Sequence, residues 1–187
     1  MTGQRVLLIG DSLGVGVGPV LERELRPLGI ASFKNISVGG TNIMQWVVGR
    51  YQQCKDLDAA LASYKPTIVF ISLGTNDESS RSYIIMGKPF VLPYGPTFDV
   101  AKQRAPHVAK MREKLTGVKS IWLGPPISHP DKWPADRKFR DMIAGSWGED
   151  YFNTEAVAPA KTGDKIHFTG TGNKTWASAI ANWIRGG

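Results

Sequence analysis

Short apolar runs alternate with amphipathic stretches along this chain, and the two periods separate strands from helices. Residues 5–9 carry Val6-Leu7-Leu8-Ile9, and residues 67–73 carry Ile68-Val69-Phe70-Ile71. Unbroken runs of this length, rich in β-branched residues, predict strands buried on both faces. The same reasoning predicts strands at 31–37 and 119–123 and a short one at 151–152. Helices are expected at 17–27 and 42–64, where Val20, Leu21 and Leu25, then Ile43, Trp46, Val47, Leu57 and Leu61, recur near helical spacing. Three more are expected at 97–115, 135–145 and 171–185, the last with Trp176, Ile180, Trp183 and Ile184 on one side. Residues 78–96 and 124–134, punctuated by glycine and proline, are expected to be long loops.

Alternating strands and helices predict an α/β chain, a three-layer α/β/α sandwich around a doubly wound, five-stranded parallel sheet. No repeat or linker divides the sequence, so residues 1–187 are expected to form a single domain. In open sheets of this kind ligands bind beyond the carboxyl ends of the strands.

Composition narrows the class without changing it. The chain has 187 residues, 42% apolar and 21% charged, as expected of one soluble globular domain. One cysteine, Cys54, excludes an intrachain disulfide framework. The first apolar run is too short for a signal-peptide core or a membrane span, so no membrane insertion is expected. A cytoplasmic location is the default, and secretion stays open if a leader has been removed or another route is used. Twenty-three Lys and Arg against 16 Asp and Glu give a net charge of +7. The basic groups at 110–114 and 137–140 fall on predicted helices and read as solvated faces, with no motif for specific nucleic-acid recognition. No phosphate-binding or dinucleotide fingerprint is present, and no metal-ligand cluster, so neither cofactor nor metal is expected.

Candidate chemistry follows strand ends. Gly10-Asp11-Ser12-Leu13-Gly14 follows the first strand, a place where a serine hydroxyl is exposed beside helix amides. A serine there is also a common helix N-cap, and its partners decide between the two. Of the three histidines, His107 falls inside a predicted helix, where packing or solvation suffices. His129 lies in the loop 126–131 with Asp131 two positions on. His167 follows Asp164 by three residues, so that one loop presents acid and base together. Gly74-Thr75-Asn76-Asp77 closes the central strand either with an amide donor suited to an oxyanion hole or with ordinary turn residues. Gly39-Gly40 closes the second either with backbone that a substrate can approach or with glycines that merely permit positive φ.

These four blocks, in this order and spanning nearly the whole chain, resemble the GDSL, or SGNH, hydrolase family of serine esterases and lipases. The resemblance implies Ser12 as nucleophile, His167 as general base and Asp164 as the group that orients it. It implies an oxyanion hole from the N–H groups of Ser12 and Gly40 and the side-chain amide of Asn76. Asp11, Gly74 and Asp77 would be supporting residues. The chain departs from the family at Ser37, where a glycine is usual, and its paired glycines leave Gly39 as a second candidate donor.

The expected activity is carboxylic ester hydrolysis without a cofactor. The aromatics Tyr83, Tyr94 and Trp133, with His129, fall in the two long loops and are candidates to contact substrate. The compact chain favours a small acyl group, acetyl first, on a carbohydrate. Lipid or thioester acyl hydrolysis, or a catalytically silent module that binds a glycan or protein, are the alternatives. Oligomeric state is not legible.

Overall fold

The computed structural model describes residues 1–49, 56–79, 81–85, 88–92, 99–126 and 137–186. In chain order the elements are β1 (Arg5–Gly10), α1 (Ser12–Leu25), β2 (Ser32–Asn35), α2 (Ile43–Val48), α3 (Leu57–Tyr64), β3 (Ile68–Ser72) and α4 (Thr75–Ser79). Then come β4 (Arg81–Ile85), β5 (Lys88–Leu92), α5 (Val100–Lys114), β6 (Lys119–Leu123), α6 (Arg137–Trp147), β7 (Tyr151–Phe152) and α7 (Gly170–Gly186).

Five strands form one parallel sheet in the order β2-β1-β3-β6-β7. Alternate residues of the central strands face opposite ways, as the strand period requires. Leu7, Ile9, Val69, Ile71 and Trp122 join a core with Ile43, Trp46, Leu57, Val108, Met111, Phe139 and Ile143, from α2, α3, α5 and α6. Val6, Leu8, Ile68, Phe70 and Ile121 join the opposite core with Leu13, Val17, Leu21, Trp176 and Ile180, from α1 and α7. The three-layer, doubly wound expectation therefore holds. Strand order reverses between β1 and β3, which puts a switch point at their carboxyl ends.

The structure differs from expectation in four respects, three in the elements and one in charge, each with a physical reason. Helix α1 begins at Ser12, five residues earlier than its apolar pattern suggests, and runs through Gly14, Gly16 and Gly18. Close packing explains the glycines: a Cβ at Gly14 would lie 2.5 Å from Ser37 Oγ, and one at Gly18 would overlap Asn35 Nδ2. Asn35 Nδ2 instead donates to the Gly14 carbonyl at 3.0 Å. The expected helix over 42–64 is two helices. Gly49, with φ 66°, ends α2 in the left-handed conformation, and Asp56 caps α3.

Most of the expected loop over 78–96 is an antiparallel hairpin of β4 and β5, with Tyr83 opposite Phe90. Its β-branched and aromatic runs, Tyr83-Ile84-Ile85 and Phe90-Val91-Leu92, outweigh the glycine and proline between them. The fourth difference concerns charge. Arg140, expected on a solvated face, is buried and pairs with Glu155, and Arg104 is buried on α5. Among the described residues no helix is long and apolar enough to cross a membrane.

Candidate active site

Gly10 ends β1 where a Cβ would lie 2.7 Å from the Ser72 carbonyl, so only glycine lets β1 and β3 approach there. The Asp11 N–H donates to that carbonyl at 3.0 Å, and the chain then turns into α1. Asp11, not Ser12, is the N-cap: its Oδ1 accepts the Leu13 N–H at 2.9 Å. Ser12 is the first residue of the helix, where backbone N–H groups have no acceptor within the helix. The other Asp11 oxygen, Oδ2, is buried without a hydrogen-bond partner among the described residues. Burial raises the Asp11 pKa to about 7, and the charge of Asp77 adds to the rise.

The loop before α7 carries the remaining groups. Asp164 Oδ1 accepts the backbone N–H groups of Ile166 (2.8 Å) and His167 (3.0 Å) and the Thr162 hydroxyl (2.6 Å). Asp164 Oδ2 lies 2.6 Å from His167 Nδ1, and His167 Nε2 lies 2.9 Å from Ser12 Oγ. A carboxylate can only accept, so Nδ1 carries the proton in that pair and the Nε2 lone pair faces the serine. The His167 hydrogen bond, then that of Thr162, holds the Asp164 carboxyl well below the usual carboxylate range. Both Asp164 and His167 are about half exposed, at 47% and 46% of their side chains.

Packing places this loop. Phe168 meets Trp176 of α7 edge to face at 5.0 Å, and the Trp176 indole donates to Thr154 Oγ1 at 3.1 Å. A Cβ at Gly172 would overlap the Ala160 carbonyl, so the opening of α7 lies flush on the loop's first strand of backbone.

On the other side of Ser12 lies the turn after β2. A Cβ at Gly39 would meet Ser12 Cβ at 3.8 Å, and Gly40 has φ 75°. Gly39 thus borders the serine, and Gly40 follows it in the same turn. Asn76 Nδ2 donates to the Thr41 carbonyl at 2.8 Å, and Asp77 Oδ2 accepts the Ile43 N–H at 3.1 Å. Thr41 Oγ1 in turn lies 2.7 Å from the Val38 carbonyl and 3.2 Å from that of Gly10, and accepts the Trp46 indole N–H at 3.0 Å. Asn42 and Gln45 close a reciprocal capping box at the start of α2. Gly74 has φ 127°, and a Cβ there would press on Pro125. Asp77 is fully buried, with its pKa raised by burial to about 6 against the opposing charge of Arg104, whose Nε lies 2.9 Å from Oδ1.

The fold therefore brings together Ser12, His167 and Asp164, with Gly39, Gly40 and Asn76 around the same strand ends. It does not bring in His107, which is half-buried on α5; burial and Arg104 lower its pKa. His129, Tyr94 and Trp133 lie outside the described residues, and Tyr83 lies on β4. Thr162, Thr41 and Arg104 were not legible as site residues. Asn42-x-x-Gln45 does carry a capping signal, whereas Arg104 is one of many basic residues on its helix. Among the described residues no three His, Cys, Asp or Glu side chains group to hold a metal. A cavity of about 920 Å³ lined by Gln4, Ile68, Ile121 and Trp183 lies at the opposite, amino-terminal ends of the strands.

Together the parallel sheet, its flanking helices and the element order are those of the SGNH hydrolase fold. The chain belongs to the family described as "Protein of unknown function (DUF459)", whose model matches residues 5–151. Among solved structures it is similar to the inhibitor-bound aryl esterase of M. smegmatis (TM-score 0.68, 16% identity, covering 98% of this chain and 99% of that one). It is also similar to Est24, a carbohydrate acetylesterase from Sinorhizobium meliloti (TM-score 0.67, 15% identity, 98% and 99% covered). A third is a family 3 carbohydrate esterase of Clostridium thermocellum (TM-score 0.66, 14% identity, 99% and 96% covered). At such identities the likeness is one of fold. No curated protein matches the chain.

Proposed function

We propose that this protein is a serine carboxylic-ester hydrolase working through an acyl-enzyme on Ser12. The observation that carries the reading is the continuous contact from Ser12 Oγ through His167 to Asp164, at 2.9 and 2.6 Å. Ser12 Oγ attacks the ester carbonyl as His167 Nε2 takes its proton. The imidazolium, steadied by Asp164, then protonates the departing alcohol. Water repeats the sequence to release the acid and restore Ser12. The Ser12 N–H, the Gly40 N–H and the Asn76 amide form the oxyanion hole, with Asp11, Gly74 and Asp77 as supports. No metal or cofactor takes part.

The substrate class proposed is a short-acyl, acetyl-type ester of a carbohydrate. Two observations favour it: the half-exposed acid and base, which leave room for a bulky alcohol, and the carbohydrate esterases among proteins of like fold. The test is turnover of an aryl acetate and fluorophosphonate labelling, each with Ser12→Ala as control. A panel of C2 to C12 esters and acetylated saccharides then reads the substrate. Preference for long chains or thioesters replaces the substrate reading. Neither turnover nor labelling replaces hydrolysis with a binding module.

A further inference from the structure

The hydrogen bonds around the 38–43 turn run outward from the site to Asp77, which in turn meets a buried cation. Asn76 and Asp77, adjacent on α4, both hold that turn, through the Thr41 carbonyl and the Ile43 N–H. Asp77 is 0% exposed and Arg104, on α5, is 6% exposed. Their 2.9 Å Nε–Oδ1 separation is a charge contact rather than an aligned hydrogen bond. A carboxylate buried this completely needs an opposite charge and hydrogen-bond donors to stay ionised. Here Arg104 supplies the charge and the Ile43 N–H a donor. The Arg104 charge favours the Asp77 anion, whereas the neighbouring charge of Asp11 opposes it.

We propose that Arg104 is a positioning residue for the oxyanion side of the Ser12 site, acting through Asp77 on the turn that carries Gly39 and Gly40. The proposal rests on the hydrolase reading above for its catalytic consequence, but not for its structural one. Arg104 touches no reacting atom. Its charge keeps Asp77 a carboxylate, the strongest acceptor for the Ile43 N–H, and so fixes the start of α2 and the turn before it. An oxyanion donor acts only when it is already in place as charge develops, so a loosened turn lowers kcat more than it raises KM.

The experiment compares Arg104→Met, Asp77→Asn and the double variant by steady-state kinetics on an aryl acetate and by hydrogen exchange of residues 38–44. Arg104→Met is expected to lower kcat on the order of 10- to 100-fold with KM changed by less than about threefold. The same variant should speed exchange in 38–44 while β1 and β3 keep their protection. The double variant removes both charges and leaves an amide oxygen for the Ile43 N–H. It should recover at least about tenfold of the lost kcat and the protection of the turn.

Wild-type kcat and wild-type exchange in a folded Arg104→Met protein overturn the proposal, as do losses that simply multiply in the double variant. If Arg104→Met does not fold, Arg104→Lys is read in its place against the same two outcomes. A wild-type protein that neither hydrolyses esters nor labels at Ser12 ends the hydrolase reading, while the exchange arm still decides whether Arg104 holds the turn.

Discussion

Ser12 and His167 lie 155 residues apart in the chain, yet Oγ and Nε2 are 2.9 Å apart in the fold. Nothing local makes that contact. Ser12 opens α1 just beyond the end of the central strand β1, and α7 packs beside α1 over the same sheet face, which carries the 164–167 loop to it. The contact is thus a product of tertiary packing, and removing either group leaves that packing intact.

His167→Ala is accordingly expected to lower kcat by roughly 10³-fold or more with little change in Tm. Asp164→Asn is the more informative change. An amide facing Nδ1 no longer requires a proton there, so the imidazole can turn its protonated nitrogen toward Ser12. Kcat should fall by about 10³- to 10⁴-fold in a protein of unchanged fold. Kinetics on an aryl acetate, beside thermal unfolding, check both. A loss under tenfold in either means that the 2.9 and 2.6 Å contacts do not carry the reaction.

Thr162 extends the same line one residue outward. Its hydroxyl donates to Asp164 Oδ1 at 2.6 Å and is one cause of the depressed Asp164 pKa. Thr162→Val keeps the shape and removes that donor, so the Asp164 pKa rises toward its ordinary value. The expected result is a two- to tenfold drop in kcat/KM, about what one hydrogen bond contributes, growing as pH is lowered. A pH profile of the variant superimposing on wild type from pH 4 to 8 would exclude that role for Thr162.

How much of this was legible beforehand differs by level. The strands were, because buried parallel strands are unbroken apolar runs, and so were Ser12, Asn76 and the 164–167 pair, because each sits in a short block at a strand or helix end. The start of α1 was not: Gly14, Gly16 and Gly18 signal a loop, whereas the fold uses two of them to seat the helix against Asn35 and Ser37. The break at Gly49 was masked by apolar spacing that continues through Leu57 and Leu61. Arg104 was illegible in principle, since it matters through a tertiary contact that no spacing encodes, and Thr162, two residues before Asp164, belongs to no motif that would single it out.

The glycines of α1 separate two effects of one substitution. Alanine is favoured over glycine in a helix interior by about 1 kcal/mol. At Gly16 the added Cβ meets Asn173 at 3.4 Å, near ordinary contact, so Gly16→Ala should stabilise by roughly 0.5–1 kcal/mol. At Gly18 the Cβ overlaps the Asn35 amide that bonds the Gly14 carbonyl, and Gly18→Ala should destabilise by about 1–3 kcal/mol. Denaturant unfolding of the pair checks this. Equal effects at both positions would show that propensity alone governs α1.

Asp11 makes a prediction about pH whose sign is unusual for a carboxylate. Its pKa is raised by burial from 3.8 to about 7, so between those values the folded protein holds a proton that the unfolded chain has released. Stability from this group therefore falls as pH rises from about 4 to about 7. Asp77, raised to about 6, adds a slope of the same sign. Asp164 acts the other way, its contribution present above the ordinary carboxylate pKa and lost as pH falls through and below it. Asp11→Asn keeps an acceptor for the Leu13 N–H and removes the titration. A constant offset is expected from the new amide group, which replaces an oxygen without a partner among the described residues. The informative quantity is the slope: the variant should gain stability relative to wild type between pH 5 and pH 8, on the order of a few kcal/mol. Denaturant unfolding at pH 5, 6, 7 and 8 measures it. A difference that stays flat across that range means that Asp11 is ionised throughout, and that the buried side of the Ser12 turn holds a charge instead of an acid.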